Sequence, residues 1–384
     1  MKSESEMRIA VVGTRGIPNV QGGIETHCQH LFPRLAEKGF EVTVFARRNY
    51  VKIKKPYDYK GVKVIPSYAF RSVGLETISH GFRCLLAIIK SKPDIVHIHG
   101  IGPALFTPIF RLFGFKVVYT HHGQDYKRAK WGMCAKITLR LGEILGTLFA
   151  TKIIVISKYL DHLLKTTYKS KKTVLIHNGV EINTAEIPNE KEHLSNLGIK
   201  PNQYILACGR FVKEKGFHDL IKAYTKLPEK LKDEYKLVIA GAADHEDPYS
   251  IGLIESAQNA NVVLTGFITG DTLHAVQKNA RLFALPSYHE GLPIALLEAL
   301  SYNLDIIASD IPANTEVPLP KECFTPVGNV DALAKKIEEH LLQKTQQDFR
   351  QIIHDHYNWD TIAEQTADVY KLIVKNKYNK DNYE

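Results

Sequence analysis

The sequence predicts an α/β protein made of two doubly wound domains, each with a parallel β-sheet and helices on both faces. Three observations support this fold class. Short apolar segments alternate with segments of helical spacing, the alternation starts again near residue 204, and 384 residues suit two domains of about 150–200 residues each. Short apolar strands that alternate with helices are typical of parallel sheets, which bind ligands at the carboxyl ends of their strands.

The first half begins with an apolar strand at residues 8–13, and the loop that follows runs from Gly13 to Gly23. Residues 24–38 have helical spacing, and a strand returns at residues 41–46. Further strands are predicted at residues 95–99, 116–120 and 152–157, and apolar helices that carry basic residues at 81–90 and 105–113.

The second half repeats this order, with a strand at residues 204–209 and a helix over about 217–227. The remaining strands are predicted at residues 236–241, 262–264, 281–286 and 305–309, and a buried helix at 294–300. A polar, proline-bearing stretch near residues 182–200 predicts the domain boundary.

We therefore expect an N-terminal domain over residues 1–185 and a C-terminal domain over residues 186–355, facing each other across a cleft. Residues 356–384 are expected to form a helix that packs back towards the N-terminal domain and frays at its end.

Composition excludes several classes of protein. No apolar run reaches the ~20 residues of a membrane-spanning helix, and the polar, acidic residues 1–6 do not resemble a secretion signal. The five cysteines are widely scattered and form neither a disulfide framework nor a metal knuckle. A cytoplasmic location is expected.

Charge is distributed unevenly along the chain. Residues 1–185 carry 29 basic and 12 acidic residues, a net charge of +17, although the whole chain has +9. Such segregation suggests an anionic partner. No nucleic-acid-binding motif is present, whereas basic residues beside apolar helices, between 81 and 116 and along 126–140, suit an anionic membrane surface. Solubilising charge beside ordinary core helices would give the same pattern.

Glu290 and Glu298 are the most informative residues of the second half. Glu290 lies in a predicted strand-to-helix loop, Pro293 fits the first turn of the next helix, and that helix carries Glu298. A helix N-terminus suits a phosphate. Two carboxylates would repel that phosphate, so their position beside it is explained only if they bind hydroxyl groups, as on sugars. A solvated loop glutamate and an ordinary helix glutamate are the alternative.

Two other loops carry residues that suit a phosphate ligand. Arg210 and Lys215 follow the first strand of the second half, where both could reach a diphosphate. In the first half, Gly22 and Gly23 precede a helix and would let a ligand approach the backbone. The G-x-G-x-x-G fingerprint of proteins that bind nicotinamide or flavin dinucleotides is absent.

Histidines follow two strands of the first half, as His97 and His99 and then as His121 and His122. A zinc site is one interpretation, but no cysteine or carboxylate nearby in the sequence completes a usual ligand set. We expect a polar pocket at this sheet edge and no metal.

Taken in order, five motifs resemble those of glycosyltransferase family 4, whose members have the two-domain GT-B fold, and the resemblance covers nearly the whole chain. The motifs are Gly22-Gly23, Thr120-His121-His122-Gly123, His177-Asn178-Gly179-Val180-Glu181, Gly209-Arg210 with Lys215-Gly216, and Glu290 with Glu298. The first half is similar to the branch with a rhamnosyltransferase-like N-terminal domain, through residues 12–18, 22–26 and 121–131.

The resemblance implies metal-independent, retaining transfer of a sugar from a nucleotide diphosphate donor, with a UDP-sugar as the expected donor and no cofactor. Arg210 and Lys215 would hold the diphosphate, and Glu298 the ribose hydroxyls. Glu290, followed by Gly291 and Leu292, would hold the donor sugar.

In the first half, the resemblance implies that the Gly22-Gly23 loop closes over phosphate or acceptor. His122 would lie near the reacting carbon, so His122 and Glu290 are the candidate catalytic residues. One departure concerns Pro293: family members often have Glu-Gly-Phe-Gly-Leu-Pro where this chain has Glu290-Gly291-Leu292-Pro293. Because proline has no N–H, one donor to the sugar or phosphate is expected to be missing.

The function expected from the sequence is therefore a glycosyltransferase of surface-polysaccharide or O-antigen biosynthesis. Its acceptor would be a glycan or a polyprenyl-linked glycan at the inner face of the membrane, and nucleic acid is not an expected partner. Two alternatives stay open: a nucleotide-sugar 2-epimerase, which also has two similar halves, and a non-catalytic sugar-nucleotide-binding protein.

Overall fold

A computed structural model describes residues 7–70, 75–127, 132–182, 186–243, 246–343 and 348–378. The chain forms two compact units, the first from residues 1–178 and 359–384 and the second from residues 179–358. The expected domain divisions, at 185/186 and 355/356, lie a few residues away from these. Residues 128–131, 183–185 and 379–384, used above for the basic stretch, the boundary and the frayed end, lie outside the described residues.

The first unit contains an eight-stranded sheet of order β3-β4-β2-β1-β5-β6-β7-β8, parallel except for the β3–β4 pair. Its strands are β1 (Arg8–Val12), β2 (Glu41–Arg47), β3 (Tyr57–Tyr59), β4 (Val62–Ser67), β5 (Ile95–His99), β6 (Lys116–His121), β7 (Lys152–Val155) and β8 (Thr173–Leu175). Its helices are α1 (Gly23–Glu37), α2 (Leu75–Ser91), α3 (Thr107–Leu112), α4 (Met133–Phe149), α5 (Lys158–Thr167) and α15 (Trp359–Tyr378).

The strands are short apolar runs because both sheet faces are covered by helices. On one face, Leu31 and Phe32 of α1 and Tyr370 of α15 are buried in a cluster with Val11 and Val44 of the sheet. The last helix is therefore part of the first unit, and Arg34 Nε of α1 donates a 2.8 Å hydrogen bond to Asp360 of α15. Helices α2 to α5 connect strands that progress from β4 to β8, and right-handed crossovers place them together on the opposite face.

The second unit contains a six-stranded parallel sheet of order β11-β10-β9-β12-β13-β14. Its strands are β9 (Tyr204–Cys208), β10 (Lys236–Ala240), β11 (Val263–Gly266), β12 (Leu282–Leu285), β13 (Asp305–Ser309) and β14 (Phe324–Thr325). Its helices are α6 (Glu190–Asn196), α7 (Phe217–Thr225), α8 (Glu229–Glu234), α9 (Pro248–Asn259), α10 (Gly270–Lys278), α11 (Ile294–Ser301), α12 (Pro312–Thr315), α13 (Val330–Leu342) and α14 (Arg350–His356).

The fold class predicted from the sequence, two doubly wound Rossmann-like domains, is confirmed. Several details were wrong or missing. Pro293 is the N-cap of α11 and not a residue of its first turn, and the apolar stretch 105–113 is divided between a 3₁₀ turn at Pro103–Phe106 and α3. The edge strands β3, β8 and β14 were not foreseen, nor was β4, which lies between β3 and β2. Among the described residues no helix is long and apolar enough to cross a membrane.

His80 of α2 makes the stability of the first unit depend on pH. Its side chain is buried, and burial together with the nearby Arg47 guanidinium lowers the pKa of His80 to about 4 from 6.5. Between these two values the unfolded chain takes up a proton that the folded chain does not, so stability falls as the pH drops from about 6.5 to about 4.

We expect His80→Gln to weaken this pH dependence by about 1.4 kcal/mol per pH unit within that window. Urea unfolding at a series of pH values measures the effect, and His162→Gln, at an exposed position of the same unit, is the control. A slope equal to that of the wild type would contradict the assignment to His80.

Candidate functional site

The candidate donor site lies where the strand order of the second sheet reverses. Strands β9 and β12 are neighbours there, and the chain leaves their carboxyl ends in opposite directions. Ligands of doubly wound sheets bind at this kind of switch point. The loop after β9 carries Arg210 and Lys215, and the loop after β12 carries Glu290, so the topology places the predicted residues at one edge.

Lys215 and Glu290 meet directly at this edge. Lys215 Nζ donates a 2.6 Å hydrogen bond to Glu290 Oε1, and the two side chains are 19% and 11% exposed. Ser287 Oγ also donates to Glu290 Oε1, at 2.6 Å. The pair is thus largely shielded from water and still reachable by a ligand.

The two loops are fixed to each other by their backbones. Tyr288 N donates a 2.8 Å hydrogen bond to the carbonyl of Glu214. Gly216 has φ +68°, and a Cβ at this position would lie 2.1 Å from the carbonyl oxygen of Pro286. Only glycine therefore fits here, and the close approach explains the Lys215-Gly216 sequence.

Glu290 is held in its ionised form. Burial alone would raise the pKa of its carboxyl, but the Lys215 ammonium and the hydrogen bonds from Lys215 and Ser287 together hold this pKa below its ordinary value. At neutral pH the edge therefore carries one fixed positive and one fixed negative charge in contact.

The other predicted residues of the second unit lie in the same two loops and on α11. Glu298 lies on α11, where its Oε2 accepts a 2.8 Å hydrogen bond from Gln277 Nε2 of α10. Gln277 was not predicted from the sequence. Leu292 is buried and Gly291 half-buried in the loop before α11, and half-buried Arg210 follows β9 by two residues.

In the first unit, Gly22 and Gly23 lie at the corresponding switch point, after β1 and beside β5. Gly22 has φ +145°, and a Cβ there would lie 2.1 Å from Glu25 Oε2. Glu25 Oε1 in turn accepts a 2.9 Å hydrogen bond from Arg15 N. A Cβ on Gly23 would have no neighbour within 4 Å, so this backbone is open to an approaching group.

His122 belongs to a cluster of three histidines at the same edge. His122 Nε2 and His99 Nδ1 share a 2.9 Å hydrogen bond, and the ring of His27 lies 5.0 Å from that of His122. His27, on α1, was missed because it is distant in sequence from the other two. Its Nδ1 donates a 2.9 Å hydrogen bond to Asn178 Oδ1, which gives the Asn178 motif a structural role.

The histidines of this cluster are neutral at pH 7. Burial is the main cause in each case: it lowers the pKa of His27 to about 4 and the pKa values of His99 and His122 well below their ordinary value. Neighbouring histidines lower all three further. Neutral imidazoles can accept and donate hydrogen bonds to hydroxyl groups.

The same three histidines also form the one candidate metal-binding group found among the described residues. Their ligand nitrogens lie within 4.8 Å of one another, and the buried His99 Nε2 has no hydrogen-bond partner. Three imidazoles suit zinc or copper better than magnesium or manganese. Metal independence is therefore still a prediction. The histidine cluster of His27, His99 and His122 is the place where it can be tested.

His121, adjacent to His122, points to the opposite face of the sheet. Its Nε2 donates a 2.8 Å hydrogen bond to Glu143 Oε1 of α4, and neither side chain is exposed. Tyr126 and Tyr168 hydroxyls donate to Glu143 Oε2 at 3.1 and 2.7 Å. Burial would raise the pKa of Glu143, but these bonds and His121 keep it below its ordinary value. His121 therefore has a structural role.

Comparison with known families identifies the family of this chain. The sequence model described as Glycosyltransferase Family 4 matches residues 21–184, and the one described as Glycosyl transferases group 1 matches residues 189–359. The chain belongs to glycosyltransferase family 4.

Full-length relatives of this glycosyltransferase are distant in sequence. The capsular polysaccharide biosynthesis glycosyltransferase CapM of Staphylococcus aureus is 25% identical, over 99% of this chain and 100% of CapM. Sucrose-phosphate synthase from Thermosynechococcus elongatus has the same fold, with a TM-score of 0.83, 21% identity and coverage of 97% and 100%. Anabaena HepE, solved in complex with UDP-glucose, has a TM-score of 0.77, 17% identity and coverage of 95% and 100%.

Proposed function

We propose that this glycosyltransferase moves a sugar, with retention of anomeric configuration and without a metal ion, from a UDP-sugar to a glycan or polyprenyl-linked acceptor during assembly of a surface polysaccharide. The observation that carries the proposal is the Lys215–Glu290 pair at the switch point of the second sheet. The relatives support the pathway, since CapM is named for capsular polysaccharide biosynthesis.

The positive side of the site would bind the diphosphate. Transfer breaks the bond between the anomeric carbon and a diphosphate oxygen, so negative charge grows on the leaving group. Lys215, Arg210 and the N-terminal N–H groups of α11 would stabilise that charge without a metal. When the donor binds, Lys215 would turn from Glu290 towards the phosphate. Glu290 would then accept hydrogen bonds from the sugar hydroxyls.

The rest of the donor would lie along the same edge. Glu298 would accept the ribose hydroxyls, with Gln277 holding its carboxylate in place. Gly291 and Leu292 would line the sugar next to Glu290. Uracil is the proposed base because HepE, which shares the fold, was solved with UDP-glucose.

The edge of the first unit that carries Gly22, Gly23 and His122 is assigned to the acceptor and the reacting sugar. The acceptor oxygen forms the new bond to the anomeric carbon, and its proton leaves with the diphosphate. Neutral His122 would hold a sugar hydroxyl by a hydrogen bond, and His99 would orient the His122 ring. The comparisons favour neither an epimerase nor a non-catalytic binding protein.

The donor can be identified by thermal unfolding in the presence of UDP-, GDP- and dTDP-sugars. A ligand that binds only the folded chain raises its Tm, and we expect UDP-sugars to do so most. Glu298→Gln should reduce the shift. A shift with GDP-sugars alone would replace uracil by guanine in the proposal, and no shift with any member would overturn donor binding.

Lys215→Ala should lower kcat/KM by about 30- to 1,000-fold, because removal of one fixed charge at a developing anion costs about 2–4 kcal/mol. Initial rates with the identified donor measure the loss. Lys213→Ala is the matched control, since this exposed lysine belongs to the same loop and the same 3₁₀ turn. Activity of the Lys215 variant within threefold of the wild type would remove Lys215 from the site.

Metal independence is tested by prolonged dialysis against EDTA. We expect the rate to be unchanged, because cationic side chains and N–H groups perform the work of a metal at the diphosphate. Loss of activity that only Mn²⁺ or Mg²⁺ restores would refute this mechanism. Loss that only Zn²⁺ restores would indicate that His27, His99 and His122 bind a structural metal.

A further inference from the structure

Helix α4 presents its large apolar side chains to the solvent. The outward residues recur at helical spacing and are Met133, Ile137, Leu141 and Leu148, exposed by 74%, 61%, 46% and 52%. The buried positions of the helix are Gly142, Glu143, Gly146 and Thr147. A helix on the surface of a globular domain normally has the reverse pattern, with apolar residues facing the core.

The inward face of α4 is explained by its contacts. A Cβ on Gly142 would lie 2.0 Å from the carbonyl oxygen of Ile101, and Glu143 binds His121. Small residues are needed for this close approach, and a carboxylate is needed for the histidine. Neither requirement extends to the outward face, so its apolar row has to be explained separately.

Neighbouring elements extend the apolar surface. Leu75, Phe82 and Leu86 of α2 are exposed by 57%, 54% and 70%, and Leu112 and Phe113 at the end of α3 by 85% and 53%. The 3₁₀ turn Pro103–Phe106 packs against both α2 and α4. Phe82 of α2 lies edge-on to Phe106 of the turn, with ring centroids 5.2 Å apart. Gly102, just before the turn, lies between Thr77 of α2 and Leu139 of α4. We call the outward sides of α2, α3 and α4 the apolar face.

Basic side chains accompany this face, and its acidic residues are engaged elsewhere. Arg83, Lys90 and Arg140 are exposed, and Arg111 and Lys136 half-exposed. The acidic residues of α2, α3 and α4 are Glu76, which pairs with Arg47 at 3.0 Å, and the buried Glu143.

We propose that the apolar face is a docking surface for an anionic lipid bilayer. Apolar side chains would enter the boundary between headgroups and acyl chains, while the arginines and lysines pair with lipid phosphates. No described helix can span a membrane, so the chain would lie on the bilayer. A second copy of the chain would bring the same positive charges together, which makes it the less favourable occupant.

Docking of this kind goes beyond the proposed transfer reaction and can fail or succeed independently of it. Vesicle binding needs neither a donor nor an acceptor. The transfer reaction can be measured with a soluble acceptor fragment in the absence of vesicles. A chain that transfers sugar without binding vesicles, or binds vesicles without transferring sugar, would separate the two proposals.

The experiment is co-sedimentation of the full-length protein with vesicles of phosphatidylcholine alone or mixed with phosphatidylglycerol. We expect binding to the mixed vesicles at low salt, little binding to phosphatidylcholine, and release at about 0.5 M salt, where charges are screened within a few ångströms. Ile137→Gln with Leu141→Gln should lower the partition coefficient by about tenfold. Both positions face outwards, so the Tm of this variant should equal that of the wild type.

The matched control is Ile251→Gln on α9 of the second unit, which removes an isoleucine that is 47% exposed without touching the apolar face. Lys90→Gln with Lys136→Gln should weaken binding to the mixed vesicles, whereas Lys230→Gln on α8 should not. Equal sedimentation with both vesicle types, none with either, or an unchanged Ile137 and Leu141 variant would overturn the proposal. A concentration-dependent dimer that this variant abolishes in light scattering would assign the face to a second copy.

Discussion

The ion pair between Lys215 and Glu290 is the interaction that holds the candidate donor site of the second unit together. It joins loops that leave two neighbouring strands in opposite directions, and it does so where water is largely excluded. Loss of either partner would leave the other's charge poorly solvated, which is costly. A dianionic ligand could replace Glu290 as the partner of Lys215 at little expense. The pair therefore keeps a cation and a carboxylate in position before any ligand arrives.

Much of the fold could be predicted because a strand that is buried on both faces of its sheet appears in the sequence as a continuous apolar run. Strands β1, β5, β9 and β12 have this character. The edge strands were missed for the opposite reason: β3 is Tyr57-Asp58-Tyr59, half-exposed, and β14 has two residues. The stretch 105–113 looked like one helix because its apolar content is high, whereas Pro108 near the start of α3 divides it into two turns of different pitch.

The candidate site was predictable where topology alone brings residues together. The loops after β9 and β12 must meet at a reversal of strand order, so Lys215 and Glu290 could be placed at one edge from the sequence. Side chains that belong to helices could not be placed in this way. His27 of α1, Glu143 of α4 and Gln277 of α10 depend on helix rotation and distance, which local patterns do not specify. Their partners His122, His121 and Glu298 were singled out without them.

The last helix completes the first unit although the chain forms the second unit in between. Trp359, Ile362 and Tyr370 belong to the same buried cluster as Phe32 and Val44. On a ribosome that adds about 5–20 residues per second, roughly 10–40 s pass between synthesis of residue 178 and residue 359. Throughout that time the outer side of α1 has no cover. The order of elements along the chain thus leaves apolar surface of the nascent first unit uncovered until residue 359 is made, and it means that residues 1–178 alone are an incomplete folding unit.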